Sequence, residues 1–359
     1  MKKTGLGILF VSILSSSTLY AMTELDDNAL SQVEGQALLN LTYNQGINSG
    51  SMQQSNMGFY RLGLAAELSL NANIKKLQLG CGGSKGAGCD IDIDNIALTG
   101  INPVDGSYVN SDFVLNNPFI EFAIDNPNSA ATRQVAGFRL GALSALGMMS
   151  IGGNSDLSKL NDDKGINSLS GDIGVRVTNA NIKGIQVTLL GLPISTADAK
   201  VTDYATTLVV NRSSTFDLLG MDANSTLNIA GYPLLKNLHL DTNMKDIPFS
   251  TVHRLVIADS NGGATSNASL SLQNKDIFWQ NVTDNSWKAN AAQKGWWMSI
   301  PDTQFANLNM DGSNVKLPIS SAVGGLLGAT VNIDPMDLGQ LPISNCYGCL
   351  LYTSPSPRD

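Results

Sequence analysis

The chain predicts an all-β protein, an elongated and mostly antiparallel sandwich or roll with a short N-terminal helix and one or two short covering helices. Three observations carry that expectation. From Leu62 the sequence alternates strictly, with Leu62, Leu64, Ala66, Leu68, Leu70, Ala72 and Ile74 in one phase and Arg61, Glu67, Ser69, Asn71, Asn73 and Lys75 in the other. A period of two sends the two sets to opposite faces of an extended strand. Shorter alternating runs recur at Leu227 and Ile229, Leu238 and Leu240, Leu270 and Leu272, and Val331 and Ile333, punctuated by Gly, Asn, Asp and Pro. Charged residues make up only 14 % of the chain, and the polar content is mostly uncharged. That balance suits exported β-proteins better than cytosolic enzymes.

Residues 1–21 have the grammar of a Sec-type signal peptide: Lys2 and Lys3, an apolar run from Leu6 to Leu14, and an exit at Leu19-Tyr20-Ala21. The run is well short of the ~20 residues that cross a bilayer, and no later stretch reaches that length unbroken. A protein that is not transmembrane is expected, in the periplasm, on the outer-membrane surface or on a pilus. Residues 22–36 follow as a short amphipathic helix, with Asp26 as its cap, Leu25 and Leu30 as a hydrophobic staple, and Gly35 at its stop.

The alternating run from Leu62 to Ile74 predicts one strand of roughly 44 Å at about 3.4 Å per residue. After Lys75 the phase slips to Leu77 and Leu79, which predicts a bulge or tight turn. Asn71-Ala72-Asn73-Ile74-Lys75-Lys76-Leu77-Gln78 is echoed 108 residues later by Asn179-Ala180-Asn181-Ile182-Lys183-Gly184-Ile185-Gln186. The echo suggests either duplicated β-units or one strand-bend-strand solution used twice. Residues 138–151 and 319–329, rich in Ala, Gly, Leu and Met, are the two candidate covering helices. A polar stretch over 154–168 divides a β-rich first part, 37–153, from a β-rich second part, 154–348, although the two could form one continuous domain. The last eleven residues, Cys349 to Asp359, read as a translated sequencing adapter, with a genuine Ser/Pro-rich tail as the alternative.

In an oxidising compartment Cys81 and Cys89, with four glycines between them, predict a small disulfide-closed loop in preference to a two-cysteine metal site. Cys346 is then left over, its partner expected downstream of the adapter junction. The formal charge of -8 includes Lys2 and Lys3, so the exported part stands at -10. That disfavours a nucleic-acid partner, which needs a basic face.

Asp90, Asp92 and Asp94 stand two apart and invite a calcium reading. An EF-type loop requires Gly at its sixth place and Glu at its twelfth, where this chain has Asn95 and Ile101. A wetted strand face fits the three carboxylates better, and no metal or other cofactor is expected. Trp279, Trp287, Trp296 and Trp297 gather every tryptophan within twenty residues, beside Phe278. Exposed, they could stack on a sugar or grip a partner; buried, they would form one end of a core. His239 and His253 are the only histidines, and no nucleophile elbow, zinc-binding His pair or phosphate loop accompanies them. A non-enzymatic protein is expected.

The segment Leu25-Asp26-Asp27 through Leu30-Ser31-Gln32-Val33-Glu34-Gly35-Gln36 resembles the start of FilA-type proteins, pilus-system components of Gram-negative bacteria. The likeness continues through Gly58-Phe59-Tyr60, Leu77-Gln78-Leu79-Gly80-Cys81-Gly82-Gly83, Asn117-Pro118-Phe119 and Ile166-Asn167-Ser168-Leu169-Ser170-Gly171. The resemblance implies an exported structural or interaction component of a fimbrial system, with a chaperone, an usher or co-subunits as partners and no catalytic residues. The length and the small cysteine loop fit a tip, adhesin-like or assembly component better than an ordinary major pilin. The competing reading is a secreted or periplasmic carbohydrate- or lipid-binding β-module. It would use the tryptophan cluster or the apolar face of the alternating run. An outer-membrane barrel ranks third, since aromatic residues are only 6 %, and a secreted hydrolase last.

Overall fold

A computed structural model describes residues 38–326, apart from 84, 103–107, 110, 153–164, 219–224, 232–237, 240–243, 250–252 and 307–308. The expected leader, the helix over 22–36, most of the 154–168 linker, Cys346 and the tail from 349 lie outside these residues.

The sequence's alternation becomes strands: β1 (Leu39–Gln45), β2 (Met57–Leu64), β3 (Glu67–Leu70), β4 (Ala72–Leu79), β5 (Ile91–Ile101), β6 (Phe113–Asp125), β7 (Gln134–Ser150), β8 (Ile166–Leu189), β9 (Leu192–Ser213), β10 (Arg254–Ile257), β11 (Ser269–Gln273) and β12 (Gly295–Ala306), with shorter strands between them. The described chain is all-β and mostly antiparallel. One ladder runs β1-β2-β6-β7-β11-β12-β8-β9, and its β12–β8 step is parallel. Strand β5 pairs with β4 and also with the end of β7 and the start of β8, across the expected division near residue 154. Among the described residues, no helix is long and apolar enough to cross a membrane.

Strand β8 is the spine. Its 24 residues would reach roughly 75 Å fully extended at about 3.3 Å each. Ile173, Val175 and Val177, then Ala180 and Ile182, then Ile185 and Val187 are all buried in one core with Leu227, Leu255, Phe305 and Leu317. The inward phase changes between Ile182 and Ile185, where the register against β9 shifts. In β4 the corresponding change falls between Ile74 and Leu77. There the register passes from Ile74↔Ile96 to Lys76↔Asp94, stepping over Lys75 and Asn95, the latter at φ +50. Both echoed segments are therefore continuous strands, but the register shifts only in β8; in β4 it runs through unshifted, with Ile74 exposed and Leu77 and Leu79 half-buried.

Two expectations are corrected. The alternating run from Leu62 to Ile74 is three strands, because its pairing partner changes. Strands β2 and β3 pair with β6, whereas β4 pairs with β5. A tight turn separates β2 from β3, with Ala66 N donating to Leu64 O at 2.9 Å and Asn117 N donating to Ala66 O at 2.8 Å. The second correction is residues 138–151, which are not a helix but the body of β7. Their small residues let neighbours approach: a Cβ on Gly141 would lie 2.6 Å from the Phe119 ring and 2.8 Å from Ala268 O. Both faces of β7 meet apolar groups, which erases the alternation that marks a half-buried strand. The other covering helix is present as α1 (Ile319–Leu326), with Ala322 in the core. Residues 327–329 lie outside the described set.

Cys81 and Cys89 are joined in a disulfide, and Gly82, Gly86 and Gly88 take positive φ to close its loop. The Arg212 guanidinium holds the loop from β9, donating to the carbonyls of Lys85 at 3.0 Å, Cys89 at 3.3 Å and Gly88.

Where β8 meets β12, a Cβ on Gly174 would fall 1.5 Å from Pro301 O, whereas one on Gly63 would meet nothing closer than 3.7 Å. Gly174→Ala is therefore expected to cost at least the roughly 1–3 kcal/mol typical of overpacking. Gly63→Ala should be neutral or slightly stabilising. Urea unfolding of the two variants checks the contrast; equal midpoints would mean that β8 and β12 are not packed this closely.

Candidate functional site

The strands β1, β2, β6, β7, β11 and β12 form one sheet whose two faces differ in chemistry. Alternation and register together build each face. On one side, Leu41, Leu62, Ile120, Leu140, Leu270 and Met298 align in a row across the six strands, and Tyr43, Tyr60, Phe122, Phe138, Leu272 and Trp296 align beside them. No charged residue interrupts either row. Leu41 is 74 % exposed, and Tyr43, Leu62, Ile120, Phe122 and Leu140 are each 42–47 % exposed. Contiguous apolar exposure of this kind marks an interaction site more often than an accident of packing.

The first row runs into a cleft of about 580 Å³, within the range of small-molecule sites. Leu62, Leu64, Leu70, Leu98, Leu115, Ile120, Leu140, Met149, Ile257, Met298 and Ile300 line it, with Ser269 and Ser299 as its only polar residues. With no ionisable side chain in the wall, the cleft can exclude water and hold hydrocarbon. Beyond Ser269 and Ser299 it offers nothing to recognise a sugar's hydroxyls.

The opposite face is covered. The segment from Ile277 to Ala292 lies over it, and Trp279 and Trp297 pack with Met57, Phe59, Ala123 and Ala136. Beneath this cap Arg139 and Glu121, both fully buried, form an ion pair at 2.5 Å. Arg139 Nη2 also donates to Gln280 O, and its guanidinium lies 5.1 Å from the Phe119 ring and 5.0 Å from that of Trp279. Farther along the same face Asp172 accepts from Trp297 Nε1 at 2.6 Å and Ser299 Oγ at 2.8 Å. Lys288 Nζ donates to Ser299 Oγ and stands 4.0 Å from Asp172. Burial pushes the Lys288 pKa down to about 8, with Asp172 opposing the shift and Arg139 adding to it.

The structure divides the tryptophans that the sequence grouped. Trp279 and Trp297 are buried in the cap, and Trp287 is half-buried against it. Trp296 alone belongs to the apolar face, edge-on to Phe138 at 5.9 Å. The four therefore do not form a stacking platform. The three aspartates do not converge either. Asp92 and Asp94 share the Lys76 ammonium at 2.8 and 2.7 Å and accept from Asn167. Asp90 is buried, lies 3.5 Å from both Lys85 and Arg212, and accepts from Trp296 N. Among the described residues, no group of three or more His, Cys, Asp or Glu is placed to hold a metal. His253 is buried with Nδ1 3.1 Å from Ile151 O, and the side chain of His239 lies outside the described residues.

Sequence reasoning missed Arg61, Glu121 and Arg139. Its available signal was a single charge flanked by apolar neighbours, in Phe119-Ile120-Glu121-Phe122 and Phe138-Arg139-Leu140. In a strand that pattern puts the charge on the face opposite an apolar row.

Fold and cleft together define an all-β protein with a ligand-sized apolar site. Comparison with known proteins finds no matching family model, curated protein or solved structure.

The Lys288 pKa falls from 10.5 unfolded to about 8 folded. Below about pH 8 both states are protonated, and the cost of burying the ammonium is fully felt. Between pH 8 and 10.5 the unfolded state binds more protons, so stability contributed by this site rises with pH. The rise is at most about 3 kcal/mol, from 1.36 kcal/mol per pKa unit. Unfolding free energies at pH 7 and 10 should show this rise in the wild type and its loss in Lys288→Met. An unchanged pH slope in the variant would count against a strongly buried ammonium.

Proposed function

We propose that the chain is an exported, non-enzymatic binding protein that takes the hydrocarbon part of a lipid-like ligand on its apolar sheet face and in the adjoining cleft. The observation that carries this reading is the pair of uncharged rows across six strands, continuous with the cleft beside Leu62 and Leu140. The signal-like leader supports export. Of the ligand classes the sequence left open, lipid fits and carbohydrate does not, since two of the four tryptophans are buried and the cleft wall holds almost no hydrogen-bonding groups. The resemblance to FilA-type proteins supports a setting in a fimbrial surface system. In that setting the same face serves equally well as a seat for an apolar segment of a co-subunit.

A neutral, environment-sensitive naphthylamine probe, titrated into the exported chain, is expected to bind and to change Trp296 emission. Leu62→Asp and Leu140→Asp should each weaken binding at least tenfold with little change in unfolding midpoint, because both side chains are already partly exposed. Absent probe binding, or binding indifferent to both substitutions, would remove the lipid reading. The fimbrial setting is checked separately by asking whether the protein accompanies filaments sheared from cells. Recovery only from the soluble periplasm, with normal filaments in a deletion strain, would exclude it.

A further inference from the structure

Next to the apolar cleft, and sharing Gly63, Leu64 and Phe119 with it, lies a second cavity of about 200 Å³ lined also by Asn40, Thr42 and Arg61. The two meet at a corner of the sheet. Leu39, the first residue of β1, is in register with Leu64, the last of β2, and β1 has no other partner strand among the described residues. A chain lying on the apolar face can therefore turn over this edge toward the polar cavity.

The charge beside that cavity does not balance. Arg61, Glu121 and Arg139 occupy successive strands in one register row, two guanidinium groups about one carboxylate. Glu121 Oε2 accepts from Arg139 Nε. Arg61 has Nε on Thr42 Oγ1 at 3.2 Å and its guanidinium 5.8 Å from the Phe119 ring. Its Nη1 is buried with no hydrogen-bond partner among the described residues. A buried guanidinium donor without an acceptor is costly, and a carboxylate satisfies it best, through paired N–H bonds. Glu121 Oε1 and Arg139 Nη1 are likewise without partners, so the pair already present does not use up the row's capacity.

We propose that the cavity at Arg61 binds the anionic head of the ligand, so that the protein's ligand is an amphipathic carboxylate of the fatty-acid type with its alkyl chain in the apolar cleft. This inference rests on the lipid-binding reading and adds the head group to it. Asn40 and Thr42 flank the guanidinium, and the Phe119 ring separates head from tail.

Laurate and dodecanol, equal in chain length and differing in charge, separate the two claims. Calorimetric titration of the wild-type chain at pH 8 is expected to show laurate binding at least tenfold tighter than dodecanol. Arg61→Met, which keeps an apolar stem, should abolish the difference by weakening laurate alone. Arg61→Lys, which keeps the charge and loses the planar fork, should retain only part of it. Equal affinities in the wild type, or a preference for laurate that survives Arg61→Met, would overturn the head-group site while leaving the apolar cleft standing. If neither compound binds, the lipid reading fails and this inference with it. Thermal unfolding of the variants confirms that they are folded; should Arg61→Met not fold, the comparison of Arg61→Lys with wild type decides.

Discussion

The buried ion pair between Arg139 and Glu121 is the interaction on which the two-faced sheet depends. Both side chains are sealed from water, and both stand at the same level of adjacent strands. Breaking such a pair by removing one partner typically costs about 3–5 kcal/mol, a large part of the 5–15 kcal/mol that holds a domain together. The Trp279 cap is arranged around it: Gln280 supplies a carbonyl to Arg139, and the rings of Phe119 and Trp279 lie beside the guanidinium. Because strand side chains alternate, fixing Glu121 and Arg139 inward on this face fixes Ile120, Phe122, Phe138 and Leu140 on the other. A one-residue slip of β6 against β7 would bury the wrong set.

Stability and the holding of hydrocarbon are therefore carried by different surfaces of the same strands. The cap and the long β8 core hold the sheet, so the apolar face does not have to be covered to keep the protein folded. Leu41, Leu62 and Leu140 contribute little burial in the described structure, yet they form a face that a hydrocarbon chain or an apolar segment of a partner would fit. A face of this kind invites aggregation unless something occupies it. Strand β1, which pairs only with β2 among the described residues, contributes to this face, so the choice of occupant also bears on its backbone groups.

Much of this was legible in the sequence, and the parts that were not share a cause. Alternation from Leu62 marked the strands, and Cys81 and Cys89 marked the closed loop, because period and spacing are local properties. The breaks at Ala65-Ala66 and Asn71 were invisible, since the apolar phase continues through a tight turn at the first and through a change of pairing partner from β6 to β5 at the second. Residues 138–151 were misread as helical because both phases of β7 carry apolar residues, one set toward the cap and core and the other on the open apolar face, which removes the period, and because glycines there answer close neighbours such as Phe119 and Ala268. Sequence proximity grouped Trp296 with Trp297, although consecutive strand residues must point to opposite faces. That rule alone would have separated them.

The candidate site was legible only in half. The apolar phase of Leu62, Leu64 and Leu70 lines the cleft, but the face becomes continuous only through Ile120, Leu140 and Met298, which lie far along the chain and join by register. The same holds for charge. Arg61, Glu121 and Arg139 are 60 and 18 residues apart in sequence, and no composition window pairs them, yet β2, β6 and β7 place them in one row. A chain with a net charge of -8 thus keeps a local excess of positive charge where two cavities meet. Net charge predicts behaviour at a distance, through the summed field; what a cavity accepts is decided by the few groups that line it, and here the one charged side chain in the wall of the smaller cavity is a guanidinium.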